Sequence, residues 1–314
     1  MISSSANSPV TDWKLTQLDD LGGKHYLITG ANAGIGYEAA AHLRRANADI
    51  IMAARSKSKG SDAAARLEAI EGAGTVELVQ LDLASIDSIR KANEAIRTMT
   101  DGLDAVINNA GIMQPPQQQT ADGFELQFGT NHLGHFLLNF LTYDLVTARS
   151  GRIVPVSSIA HHQASGINFD DPMYTDNYSP STSYGQSKLA NLMYGLELAR
   201  RLEAVGSGVT SISAHPGYSA TNLQSTGPTG LFRLLYKISN PLMAQSAADG
   251  AVSEVLAAAG NEARNGAYYG PTKRGDMRGP VGDSRVSDAA QDREAAARLW
   301  SLSEDLLDIE WDLG

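Results

Sequence analysis

Tyr184 and Lys188 stand four residues apart in a stretch of helical patterning, so their side chains share one face. An ammonium beside a phenol favours the phenolate, and a phenol so placed can act as general acid and base for a carbonyl oxygen. The spacing alone is ordinary on a helix surface, and the chain carries 11 tyrosines. It gains weight from its company. Ser158 ends a short apolar run and can offer a hydroxyl to the same oxygen, while Asn108-Asn109-Ala110-Gly111 ends another such run.

A second kind of chemistry is written near the start. Thr29-Gly30-Ala31-Asn32-Ala33-Gly34-Ile35-Gly36 lies between an apolar run and a helical pattern. A dinucleotide pyrophosphate can rest there on a helix N-terminus and accept backbone N–H bonds, with glycines letting the backbone approach. Gly30, Asn32, Ala33, Gly34, Ile35 and Gly36 are the candidate contacts. The next strand pattern, Asp49 to Ala54, ends without the acidic residue that would hold a ribose 2′-hydroxyl, and Arg55, Lys57 and Lys59 follow. A guanidinium can pair bidentately with a 2′-phosphate, so NADP(H) is favoured over NAD(H), with Arg55 as the binding residue. Asp82 and Leu83, after a third strand pattern, are placed for the adenine edge. Asp82 also reads as a helix N-cap.

These residues need a scaffold that brings strand ends together. Strand and helix patterns alternate: Lys24 to Thr29, Tyr37 to Arg45, Asp49 to Ala53, Ser58 to Ile70, Thr75 to Gln80, Ile86 to Met99, Asp104 to Asn108. Repeats of this length imply an α/β fold with a doubly wound parallel sheet of Rossmann type. Long helices are predicted over Gly123 to Thr147 and Ser183 to Glu203, strands over Arg152 to Val156 and Val209 to Ala214, and a short last strand over Gly266 to Tyr269. An acidic helix over Asp288 to Leu307 is expected to lie on the surface or on a partner subunit. The organisation predicted is a flexible leader (1–20) and a single domain (21–314), with substrate-wall insertions near 161–182 and 225–245.

Composition narrows the function classes. The 314-residue chain is 42% hydrophobic, enough for a sizeable core, and contains no cysteine, which excludes disulfides and thiolate chemistry. A formal charge of -10 opposes nucleic-acid binding. No window approaches the roughly 18 apolar residues of a membrane span, and the first residues lack a signal-peptide layout, so a cytoplasmic location is expected. His132 with His135, and His161 with His162, lack a third ligand at metal-binding spacing, so they are read as packing and pocket-edge residues and no metal is expected.

Taken together, Thr29-Gly30-x3-Gly34-Ile35-Gly36, Asn108-Asn109-Ala110-Gly111, Asn131-His132-Leu133-Gly134-His135-Phe136, Val156-Ser157-Ser158, Tyr184-x3-Lys188 and Pro216-Gly217 through Thr221 resemble, in order and approximate spacing, the short-chain dehydrogenases/reductases. The resemblance spans Leu21 to Tyr269. Its flavour is that of the retinol-dehydrogenase-like and WW-domain-oxidoreductase-like branch, carried also by Gly266-Ala267-Tyr268-Tyr269-Gly270-Pro271. It implies about seven strands with three helices on each face. Tyr184 would be the proton donor or acceptor and Ser158, rather than Ser157, would polarise the substrate oxygen. Lys188 would hold the nicotinamide ribose and lower the phenol pKa, and Asn131 would hold a water. Asn109, Ala110 and Gly111 would line the ribose side, and Pro216, Gly217, Ser219 and Thr221 the nicotinamide end. Two departures stand out: Pro155, where relatives carry Asn and where a strand is expected to end early, and Ala33, where some NADP-dependent relatives place a cation.

The expected activity is hydride transfer between NADP(H) and a carbonyl or alcohol, of the carbonyl-reductase or alcohol-dehydrogenase type. Phe169, Met173, Tyr174, Tyr178, Leu231, Phe232 and Tyr236 suggest a bulky apolar ketone or aldehyde. Alternatives are a non-catalytic NADP(H) sensor or scaffold, and an epimerase or dehydratase on the same fold. The expected partner is a small-molecule substrate; the two long helices resemble those of the family's four-helix dimer contact, which implies a homodimer, with a monomer, as in longer relatives, the alternative.

Overall fold

The computed structural model describes residues 8–218 and 245–314. Its main sheet has six strands, β1 (His25–Thr29), β2 (Asp49–Ala54), β3 (Val76–Gln80), β4 (Ala105–Asn108), β5 (Arg152–Pro155) and β6 (Thr210–Ser211), in the order β3-β2-β1-β4-β5-β6. Every pairing is parallel. The order reverses between β1 and β4, so the crevice at their carboxyl ends is the natural ligand position of such a sheet.

Helices α1 (Gly34–Arg45), α2 (Lys57–Glu68) and α6 (Ala247–Ala259) cover one face, where Leu43, Leu67 and Val255 pack on Ile28, Ile50 and Ile107. Helices α3 (Ile86–Met99), α4 (Gly134–Ala148) and α5 (Pro180–Ala204) cover the other, with Ile96, Leu137 and Leu192 packed on Leu27, Val106 and Ile153. Among the described residues, three long helices cover each face, as expected. Strands buried on both faces read as continuous apolar runs, as Tyr26 to Ile28 and Ile50 to Ala53 do.

The edge beyond β5 differs from the expected single sheet of about seven strands. The strand pattern at Val209 to Ala214 divides at Ile212: β6 pairs with β5, whereas β7 (Ser213–Ala214) joins β8 (Tyr268–Lys273) and β9 (Arg278–Asp283). A bridge between Val156 and Ala214 connects the two sheets. β5 does stop at Pro155, whose missing N–H cannot extend the ladder.

The described part of the leader packs on the domain. Trp13 is buried, its backbone pairs with Val281, and its indole nitrogen donates to Glu262 at 2.9 Å. The Val10 amide donates to Asp283. α7 (Arg293–Leu307), within the acidic carboxyl-terminal stretch, packs on α5 of its own chain. Trp300 and Trp311 meet Phe136 edge-on at 5.0 and 5.2 Å, so α7 and the residues after it cover part of α4 and α5. Among the described residues no helix is long and apolar enough to cross a membrane.

Candidate active site

The crevice over β1, β4 and β5 is a cleft of about 430 Å³. At one end β1 turns into α1. Gly30 and Gly34 take φ of +68° and +59°, in the region that favours glycine. Ala33, the residue before α1, offers no side-chain cap, so the first N–H groups of that helix open on the cleft beside Asn32, Gly34 and Ile35. Uncapped helix donors with no Cβ in the way fit a pyrophosphate. Gly36 lies behind the lining, where a Cβ would collide with the Asn109 amide.

Arg55, Asp82 and Leu83 line the same end. Of the three cations after β2, only Arg55 does so; Lys57 and Lys59 lie in the exposed first turn of α2, capped by Ser56. Asp82 is not the N-cap of α3. That cap is Ser85, and the Asp82 carboxylate instead accepts from the Ala84 amide at 3.0 Å.

Asn109 braces the ends of β1 and β4: its amide donates to the Thr29 carbonyl at 2.7 Å, while the Ala110 amide donates to the Thr29 hydroxyl at 2.9 Å. That hydroxyl also meets His135 Nε2 at 2.9 Å. Because His135 Nδ1 faces the Asn131 carbonyl, which can only accept, the proton sits on Nδ1 and Nε2 accepts from Thr29. Burial pushes His135 down to about 4, keeping it neutral. His132 is likewise a packing residue, hydrogen-bonded to Ser303 and set among Phe128, Phe136 and Tyr194.

The middle of the cleft gathers Ser158, Tyr184, Lys188 and Gly111. Tyr184 and Lys188 lie one turn apart on α5, with the ammonium 6.0 Å from the phenol ring centre and donating to the Val156 carbonyl at 3.1 Å. Burial pushes the Lys188 ammonium down to about 8, and the Glu254 carboxylate opposes that shift. The choice between the two serines is resolved by their partners. Ser157 is buried and its hydroxyl is spent on the Lys188 carbonyl at 2.7 Å. Ser158 accepts from the Ala160 amide at 3.2 Å, which leaves its own proton for another acceptor.

Asn131 is brought close but does not line the cleft. It is fully buried in a π-helical turn (Gly129–Leu133), its oxygen accepting from the Ile112 amide at 2.8 Å. Its nitrogen donates to the Ile112 carbonyl and to Ser187. The side chain therefore ties the loop after β4 to α5, one residue before Lys188.

Pro216 and Gly217 line the far end together with Tyr218. Ser219, Thr221 and the segment 225–244, with Leu231, Phe232 and Tyr236, lie outside the described residues. Of the expected wall at 161–182, Gln163 lines the described cleft. Phe169 and Met173 pack against the core, and Tyr178 is tied to Gln127 and Pro115. Lining residues that the sequence did not single out include Ile112, Met113 and Gln114 in the loop after β4, Thr130 in the π-helical turn, and Ile159 and Ala160 in the turn after Ser158. Met113 and Ala160 form an apolar cluster with Tyr184.

With this geometry in hand, the likenesses to known proteins are consistent. The short chain dehydrogenase family profile matches residues 24–231. Retinol dehydrogenase 12 of Homo sapiens is 38% identical over 295 residues, covering 93% of this chain and 89% of the relative. The crystal structure of an uncharacterized protein from Mycobacterium paratuberculosis, 38% identical, superposes with a TM-score of 0.80 over 96% of this chain and 100% of that one. The Pseudomonas aeruginosa RhlG/NADP active-site complex, 22% identical and covering 79% of this chain and 94% of that one, shares the fold with a TM-score of 0.62. The chain belongs to the short-chain dehydrogenase/reductase family of oxidoreductases and is retinol-dehydrogenase-like.

Proposed function

We propose that the protein transfers a hydride between NADP(H) and a carbonyl or alcohol, and that it reduces an apolar aldehyde or ketone. The observation that carries this reading is one continuous cleft with uncapped helix donors and Arg55 at one end and Ser158, Tyr184 and Lys188 in its middle. When bound, a reduced nicotinamide supplies the hydride to the carbonyl carbon. Ser158 donates its hydroxyl proton in a hydrogen bond to the carbonyl oxygen and so polarises it. Tyr184 gives its phenolic proton to that oxygen as the alcohol forms. The Lys188 ammonium stabilises the phenolate left behind and would hold a ribose hydroxyl. Asn131 acts through others: it holds Ile112 and Ser187, and with them the loop carrying Gly111 against α5.

NADP(H) rather than NAD(H) rests on Arg55, a charge-assisted partner for a 2′-phosphate at a strand end without a carboxylate. The apolar substrate rests on Met113, Ile159 and Ala160 beside Tyr184, and on the relative named for retinol, an apolar alcohol. Titrating the protein with NADPH and NADH, read by nucleotide fluorescence, tests the cofactor half. Tighter binding of NADPH is expected, and failure to bind either would overturn the reading.

A further inference from the structure

Behind the cleft lies a row of buried rings that the reaction does not use. The carbonyl of Ser158 accepts two bonds from one residue, the backbone amide of His161 at 3.0 Å and its ring Nδ1 at 2.6 Å. Together with the bond from the Ala160 amide to the Ser158 hydroxyl, these close the turn Ile159–Gln163 onto Ser158, whose backbone stays extended at φ -160° and ψ 157°. His161 is 1% exposed. Its ring meets Tyr268 edge-on at 5.5 Å and lies 3.9 Å from that of His162. On its other side Tyr268 meets His215 at 5.0 Å. His215 Nδ1 accepts from the Gly217 amide at 3.2 Å and its Nε2 faces Ser284 at 2.7 Å.

The partners dictate opposite tautomers. A carbonyl only accepts, so His161 carries its proton on Nδ1; an amide only donates, so His215 carries its proton on Nε2. Both rings are neutral, since burial pushes them down to about 4 and about 3. Two imidazoles thus flank one phenol, one tied to Ser158 and the other to Gly217, and neither lines the cleft while both of their partners do.

We propose that His161 is a positioning residue for Ser158: by fixing the Ser158 carbonyl through Nδ1–H, and being packed itself against Tyr268, it aims the hydroxyl at the substrate oxygen. The inference rests on the role given to Ser158 above. A side chain held by a closed turn and a packed ring loses little freedom on reaction, and a small misplacement of such a group costs rate. A ring without Nδ1–H keeps the packing but leaves the Ser158 carbonyl with the His161 backbone amide alone.

The test uses His161→Phe, which keeps a ring, and His161→Asn, whose amide can restore an N–H near Nδ1, in the full chain with NADPH and all-trans-retinal as probe. His161→Phe is expected to lower kcat on the order of 10- to 100-fold with the KM for NADPH nearly unchanged, and His161→Asn to recover most of the loss. Because His161 acts through Ser158, adding His161→Phe to Ser158→Ala is expected to cost little more than Ser158→Ala alone. Nitrogen-15 imidazole spectra of the free protein are expected to show His161 as the neutral Nδ1–H tautomer. An Nε2–H tautomer at His161, an unchanged kcat in His161→Phe, equal losses in the Phe and Asn variants, or full additivity with Ser158→Ala would each overturn the proposal. Wild-type activity in Ser158→Ala would instead show that the reading of Ser158 itself is wrong, and this inference would fall with it.

Discussion

Gly36 has no room for a side-chain carbon, because the Asn109 amide nitrogen already occupies that space while donating to the Thr29 carbonyl. The glycine is thus required by the brace between β1 and β4 as much as by a dinucleotide. Gly36→Ala should destabilise the fold by about 1–3 kcal/mol through overpacking, and should weaken NADPH binding because Asn109 must move. Urea unfolding and nucleotide titration on the same preparation check both. Undiminished stability would mean that Asn109 shifts without cost.

Arg55 should decide between the two nucleotides. If Arg55 holds the 2′-phosphate as proposed, Arg55→Ala is expected to weaken NADPH binding by roughly tenfold and to leave NADH binding nearly as it was, since NADH has no group there for a surface guanidinium to meet. Equal weakening of both nucleotides would move the discrimination elsewhere.

Asn131 answers two backbone groups of Ile112 at once. Asn131→Ala leaves them unpaired in a buried place and should cost about 1–3 kcal/mol of stability, with kcat falling more than the affinity for NADPH. Asn131→Asp can still accept from the Ile112 amide but cannot donate, and should recover only part. Thermal melts and steady-state kinetics of the two variants make the comparison.

Acid should weaken the fold well above the range in which carboxylates titrate. His132 and His215 are pushed down to about 3, and His135 and His161 to about 4, in each case chiefly by burial. The unfolded chain takes up protons near pH 6.5 that these folded histidines refuse, so the stability they contribute is complete above that pH and is lost as pH falls toward 4. Each contributes a slope of up to about 1.4 kcal/mol per pH unit. The carboxyls of Glu254, raised by burial to about 8, and Glu125, also raised by burial, work in the opposite direction, but they are two groups against these four histidines and His42, which burial lowers as well. Urea midpoints at pH 7.5 and 5.5 should therefore differ clearly, with the lower at 5.5; equal midpoints would contradict the neutral assignments.

Much of this was legible in the sequence, and the remainder was hidden for physical reasons. Periodicity located the βα units because strands buried on both faces leave apolar runs, as at Ile50 to Met52. Motif spacing located Gly30, Ser158, Tyr184 and Lys188 because each occupies a strand end or helix turn facing one crevice. β9 escaped because Arg278-Gly279-Pro280-Val281-Gly282-Asp283 carries almost no strand propensity; it forms through antiparallel pairing with β8 and a cover provided by Trp13. Phe169, a candidate for the substrate wall, packs against the core, and an aromatic in such a loop looks the same in sequence in either place. Asn131 and His161 illustrate a similar limit: a motif names the residue, but only the geometry shows that one holds Ile112 and the other the Ser158 carbonyl.

The most direct test of the central claim follows nicotinamide absorbance as wild type and Tyr184→Phe are mixed with NADPH and an apolar aldehyde such as all-trans-retinal. The account predicts that both proteins bind NADPH with similar affinity, and that the variant consumes it more slowly by on the order of 10²- to 10⁴-fold, since only the proton donor has been removed. Consumption by Tyr184→Phe at the wild-type rate would contradict it.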